Sequence, residues 1–115
     1  MKDNYGDIQV TSLPGHVVRC EICRPPNNFF DLDLIRDLAD CFDDLDEAAD
    51  CRAIVLCSNG KHFCAGANFV TPGEKPEGDV LAAGSADQSN PLYSEAVRLF
   101  GNKKPVVAAV QGAAV

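Results

Sequence analysis

An α/β fold is predicted by three features of this chain: an alternating stretch closed by a Pro-Gly turn near the start, a long apolar stripe at helical spacing, and two short runs of β-strand character downstream. A helical stripe between a strand and a buried run is the pattern of a crossover connection, which lays its two strands parallel in one sheet.

The elements follow in order. Ile8, Val10 and Ser12 alternate with polar neighbours, Pro14-Gly15 supplies a turn, and Val17 to Cys23 resumes an extended stretch, so the chain opens with a hairpin. Val18, Cys20 and Ile22 share one face and Arg19 and Glu21 the other, as in a half-buried strand. Pro25-Pro26 ends it. From Asp31 to about Ala49, the apolar positions Leu34, Leu38, Cys41, Phe42 and Leu45 recur at three- and four-residue spacing, and Asp31 and Asp33 sit where acids favour a helix start. Ala53 to Cys57 is too short for a helix and reads as a strand buried on both faces. Residues 71–91 are rich in Gly, Pro, Ser, Asp and Glu and read as a mobile loop. A short helix comes next, with Ser89 or Asn90 as its cap, Pro91 in its first turn, Leu92, Ala96, Leu99 and Phe100 on one side, and Gly101 near its end. Val106 to Val110 is a second buried strand, and the chain ends at Gln111–Val115 in what reads as the next connection.

Composition narrows the function classes. The chain has 115 residues, one domain's worth, and 46% of them are hydrophobic, enough to pack a core. Seventeen acids against ten bases give a net charge of -7, and no Lys/Arg cluster interrupts the balance, which argues against a nucleic-acid or anionic-membrane surface. The longest apolar runs fall far short of the roughly 20 residues that cross a bilayer. The polar start, Met1 to Asp7, lacks a secretory core, so a soluble cytoplasmic protein is expected. Six cysteines are then read as reduced, mostly buried thiols. Cys20 and Cys23 have the spacing of a redox or zinc pair, but three residues apart on a strand they face opposite ways, and no metal site is expected. Asp43, Asp44, Asp46 and Glu47 read as the solvated end of a helix.

Chemistry is concentrated in Lys61-His62-Phe63-Cys64-Ala65-Gly66-Ala67-Asn68-Phe69, directly after a buried strand and a turn. Its small residues let a ligand approach the backbone, whose free N–H groups can donate to an anion developing on a substrate oxygen. A tight turn packed with small residues has the same composition, and the residues alone leave both readings open. His62 and Cys64, two apart, are either a base with a nucleophile or a loop residue with a small packing residue.

The run from Ile54-Val55-Leu56 through Phe63-Cys64-Ala65-Gly66-Ala67-Asn68 resembles the enoyl-CoA hydratase/isomerase (crotonase) family, whose loop reads aromatic, small, Ala, Gly, Ala, then Asp or Asn. Lys104-Pro105, the apolar strand and Gln111-Gly112-Ala113-Ala114 are similar to that family's Lys-Pro, strand, Asn or Gln, Gly block. Arg24-Pro25 with Asn27 or Asn28 is a third, weaker element, and the likeness covers residues 8–115. The resemblance implies a crotonase-like spiral of strand-strand-helix units, of which residues 1–115 would be the amino-terminal part of a single domain, stopping before a Gly-rich turn.

It further implies an enzyme whose substrate is a coenzyme A thioester, with no separate cofactor, hydrating a 2,3-enoyl-CoA through an oxyanion-stabilised thioester enolate. The backbone N–H of Ala67 takes the place of the first oxyanion donor. Ala65, Gly66, Ala67, Asn68 and Phe69 fall where relatives contact adenine and thioester, Lys61 where some place a lysine near the phosphates, and Arg24 is a further phosphate candidate. Relatives often carry a basic residue where Pro26 and Val70 stand, which weakens phosphate recognition here. The second donor and the two catalytic glutamates belong to the missing turn and beyond, so this chain alone is expected to be inactive. The alternatives are a double-bond isomerase of the same family and a non-catalytic acyl-CoA-binding or interaction module. The full-length protein is expected to form a homotrimer or homohexamer. The resemblance also makes Cys64 a packing residue.

Overall fold

The computed structural model describes residues 2–66 and 91–115. One five-stranded sheet runs in the order β1 (Asn4–Tyr5), β2 (Ile8–Leu13), β3 (Val17–Ile22), β4 (Ala53–Ser58) and β5 (Val106–Ala108). The first three strands pair antiparallel, β3–β4 and β4–β5 parallel, so spatial order repeats chain order. Helix α1 (Leu32–Glu47) makes the crossover from β3 to β4, and helix α2 (Pro91–Phe100) packs beside it.

The opening hairpin forms where alternation and the Pro14-Gly15 turn place it, with Val18, Cys20 and Ile22 buried on one face of β3. Those three meet the stripe of α1, on which Leu34, Leu38, Cys41, Phe42 and Leu45 are all buried. Ile8 and Ile54 complete the layer, and each aliphatic side chain taken out of water there contributes about 1.5–3 kcal/mol. Asp31 caps α1, its Oδ1 accepting from the Leu34 N–H at 2.9 Å. The other end has no basic residue of its own in its last turn, and the Lys104 ammonium fills that role by donating to the carbonyls of Leu45 and Ala48.

The structure corrects four sequence expectations. β4 is not buried on both faces: Ile54 and Ser58 are buried, and the four others half-buried, because α1 covers one face only. β5 is three residues long and exposed, Val107 by 62%, since it is the edge of the sheet among the described residues. Phe100 does not share the inward side of α2 with Leu92 and Leu99; it is 84% exposed. The acids at the end of α1 are not simply solvated. Asp43 pairs with Arg98, Asp44 accepts the Tyr5 hydroxyl at 2.5 Å, and Asp46 accepts the Lys103 N–H.

Tyr5 also shows that the polar first residues carry a short strand. Burial, and then the hydrogen bond to Asp44, push its hydroxyl up to about 12. The expected cap of α2 at Ser89 or Asn90, and the loop of residues 71–91 up to Asn90, lie outside the described residues.

Candidate functional site

β3, β4 and β5 are parallel to one another, so the segments leaving their carboxyl ends emerge along one edge of the sheet. Open α/β sheets bind ligands at such edges. Here residues 23–30, 59–66 and 109–115 meet there and are joined mainly by polar contacts.

Asn28 is the centre of the junction. It is fully buried, at φ +50, a backbone region that Asn tolerates better than most residues. Its side-chain amide donates to the carbonyls of Asn59 and His62, both at 2.7 Å, and its Oδ1 accepts the Arg24 N–H at 2.8 Å. Gln111 works from the other side, donating to the carbonyls of Ser58 at 2.7 Å and Gly60 at 3.1 Å. The Ser58 hydroxyl donates to the Phe63 carbonyl at 2.8 Å. Two amides and one hydroxyl thus satisfy five carbonyls of a turn that would otherwise leave them unpaired.

The backbone beyond the turn is equally occupied. The N–H of His62 donates to Pro26, that of Phe63 to Gln111, that of Cys64 to Ala113 and that of Ala65 to Asn27. Val115 donates back to Cys64, and Phe30 to Gly66. Four successive N–H groups are therefore committed inside the fold. The next N–H, that of Gly66, has no acceptor among the described residues, and its φ of +135 requires glycine. A Cβ built there meets no described residue within 4 Å.

The predicted site residues divide accordingly. Lys61 is exposed, and Ala65 and Gly66 are half-buried further along the loop. Ala67, Asn68 and Phe69 lie outside the described residues, as does Val70. Arg24 belongs to the frame: its guanidinium bonds Asp7 at 2.7 Å, Asp31 at 2.9 Å and the Phe29 carbonyl. Burial works against its charge, but the two carboxylates outweigh that and raise its pKa, leaving little for a phosphate.

Cys64 is buried and its thiol donates to the Gly66 carbonyl at 3.4 Å, while His62 Nδ1 accepts the Ala113 N–H. Those contacts fit a packing thiol rather than a nucleophile with its base. Cys20 and Cys23 are apart in environment. Cys20 lies 3.6 Å from Cys41 in the core, and that contact with burial holds the Cys41 thiol well above its usual range. Cys23 is half-buried beside Glu21. No helix among the described residues is long and apolar enough to cross a membrane.

Sequence reasoning marked Asn28 and Gln111 only as parts of family-like segments and weighed His62 as a base or a loop residue; that these side chains and Ser58 hold the loop together it did not find. The Asn-Asn step after two prolines announces a turn, but composition does not say which Asn turns inward.

Comparison with known proteins agrees with this geometry. The chain is 33% identical over 120 residues to a mitochondrial Delta(3,5)-Delta(2,4)-dienoyl-CoA isomerase of Mus musculus, covering 97% of this chain and 36% of that protein. It is 32% identical over 104 residues to an enoyl-CoA hydratase of Mycobacterium tuberculosis, covering 88% and 38%. Among solved structures, a probable enoyl-CoA hydratase from Mycobacterium thermoresistibile superposes with a TM-score of 0.69 at 27% identity, over 93% of this chain and 42% of that one. The enoyl-CoA hydratase of Bacillus anthracis gives 0.69 at 27%, over 92% and 40%. The fold is therefore the crotonase fold, and the chain spans well under half the length of these relatives. With the enoyl-CoA hydratase/isomerase model matching residues 13–115, a span that takes in all three parallel strands and the segments converging at their ends, the chain belongs to that family.

Proposed function

We propose that the complete protein takes a coenzyme A thioester as substrate and stabilises the enolate formed from it, hydrating a 2,3-enoyl-CoA. The observation that carries this is the filled hydrogen-bonding of residues 62–65, which commits those four N–H groups inside the fold, so that past them the loop can offer a ligand only the donors from Gly66 onward. Ala67 is next, and its N–H is the proposed first oxyanion donor, aimed at charge that develops only during reaction. The backbone of Ala65 to Phe69 is the proposed adenine and thioester contact, with Lys61 for phosphate. Arg24 ranks below Lys61 because it is already paired.

Coenzyme A enters as substrate, and no other cofactor is proposed. Neither a second donor nor an acid or base is proposed within these 115 residues, so turnover is assigned to the complete protein, as a homotrimer or homohexamer. The cytoplasm is its proposed compartment. Double-bond isomerisation is the second reading, favoured by the match to dienoyl-CoA isomerases over 97% of the chain against 88% for the mycobacterial hydratase.

Two measurements test the proposal. Calorimetric titration of this chain with a short-chain acyl-CoA, beside Ala67→Pro, is expected to show binding that weakens in the variant, since proline has no N–H. Equal affinity in both would remove Ala67 from the site. The complete protein, offered a 2-enoyl-CoA and a 3,5-dienoyl-CoA, is expected to add water to the first. Rearrangement of the second without hydration would establish the isomerase instead, and binding with neither conversion would leave an acyl-CoA-binding module.

A further inference from the structure

The segments at residues 62–64 and 111–115 run side by side as an interrupted parallel ladder. Cys64 bridges to Ala114 in register: the Cys64 N–H donates to the Ala113 carbonyl and the Val115 N–H to the Cys64 carbonyl. Continuing that register, the Ala113 N–H would donate to the His62 carbonyl. That carbonyl is already occupied by the Asn28 amide at 2.7 Å. The Ala113 N–H instead donates to His62 Nδ1 at 3.0 Å, so an imidazole nitrogen replaces the missing backbone acceptor.

Gly112 makes this possible. Its φ is +58, and a Cβ there would lie 2.3 Å from the Lys61 carbonyl oxygen and 2.8 Å from His62 Nδ1. Only a residue without a Cβ brings the next N–H this close to the ring.

We infer that His62 is a positioning residue: its imidazole, bare at Nδ1 and carrying its proton on Nε2, holds the Gly112-Ala113 turn against the loop of residues 61–66. An Nδ1 that accepts a hydrogen bond carries no proton, which fixes the tautomer. The functional meaning rests on the acyl-CoA reading above, because His62 belongs to the loop whose later residues are the proposed thioester contact. The bond itself does not rest on it.

The test uses this chain without ligand. Nitrogen-15 spectra of the imidazole at neutral pH are expected to show Nε2 protonated and Nδ1 bare; the opposite tautomer overturns the inference even if no variant folds. Amide exchange at Ala113, corrected for its intrinsic rate, is expected to be slow at neutral pH and to lose about fivefold or more of its protection in His62→Leu. His62→Asn presents an oxygen near the place of Nδ1 and should keep Ala113 protected. Equal protection in the native chain and His62→Leu would show that Nδ1 holds nothing. If these results hold while acyl-CoA fails to bind, the functional proposal falls and the positioning role stands.

Discussion

The layer between α1 and the sheet and the junction at the carboxyl ends of the parallel strands lie a few residues apart along the chain, yet they are held by different physics. In the layer, Ile8, Val18, Ile22, Leu34, Leu38, Leu45 and Ile54 are buried against one another and no single contact is decisive. In the junction, single polar atoms carry the geometry: the amides of Asn28 and Gln111, the Ser58 hydroxyl and the imidazole of His62. Apolar burial is non-directional and graded, so it supplies stability but not aim. Buried hydrogen bonds are directional, and leaving a partner unmet is costly, so they fix where a loop backbone points.

Breaking each region in turn tests that division, and the core should give the larger effect. Leu38→Ala removes a fully buried side chain from the middle of the α1 stripe and is expected to cost about 2–5 kcal/mol in urea unfolding. Amide protection should fall together in α1, β3 and β4, because the layer is shared. A loss confined to α1 would mean that helix and sheet are not one cooperative unit.

Asn28→Ala should come next, at about 2–3 kcal/mol, from the orphaned partners of three hydrogen bonds and a φ that alanine adopts poorly. Its protection losses should concentrate at residues 59–66 and 111–115, with α1 spared. Asn28→Gly separates the two causes, since glycine accepts φ +50 freely. If Asn28→Gly is as stable as the native chain, the hydrogen bonds contribute nothing and the comparison between the two regions collapses.

The same division explains what could be read from sequence. The stripe Leu34, Leu38, Cys41, Phe42, Leu45 is legible because burial imposes a period that any apolar residue can satisfy, and the structure buries all five. The Pro14-Gly15 hairpin and the alternation of β3 are legible for a like reason. Val106 and Val107 misled, because β-branched residues mark a strand without saying whether it lies inside a sheet or at its edge. In the junction, Gly66 and its small neighbours drew attention as a loop that can admit a ligand, and the φ of +135 at Gly66 shows why glycine stands there. The donors that shape the loop were legible only in part: Asn28 and Gln111 lie in segments that the family likeness marked, Ser58 left no signal, and the roles of all three exist only once β3, β4 and β5 are aligned. The acids of α1 were misjudged similarly, since Tyr5, Arg98 and Lys103 are distant in sequence.

A polar contact at the margin of the core sharpens the comparison. Lys104 donates to the Leu45 and Ala48 carbonyls and so ties the approach to β5 to the end of α1. Lys104→Met keeps the stem and removes the ammonium, and should cost about 1 kcal/mol by thermal unfolding. High salt should leave most of that difference in place if short, partly buried hydrogen bonds carry it. A difference that vanishes in salt would reassign the contact to long-range charge alone.

The smallest effect is expected where the contacts look most numerous. Arg98 of α2 reaches Asp40 at 2.6 Å, Asp43 at 2.7 Å and Glu95 at 2.5 Å, and these carboxylates raise its pKa, Asp40 foremost. All of this happens at the surface, where water solvates the separated charges nearly as well and the long side chain loses freedom on pairing. Arg98→Ala is therefore expected to cost less than about 1 kcal/mol despite three partners. Removing the guanidinium leaves Asp40 and Asp43 without this partner and Glu95 with Arg36 at 3.7 Å, so the loss should grow at low salt and shrink at high salt, opposite to a packing defect. A loss as large as that of Asn28→Ala, unchanged by salt, would mean that Arg98 acts through its buried stem against α1, and that α2 is fastened as the core is rather than as the junction is.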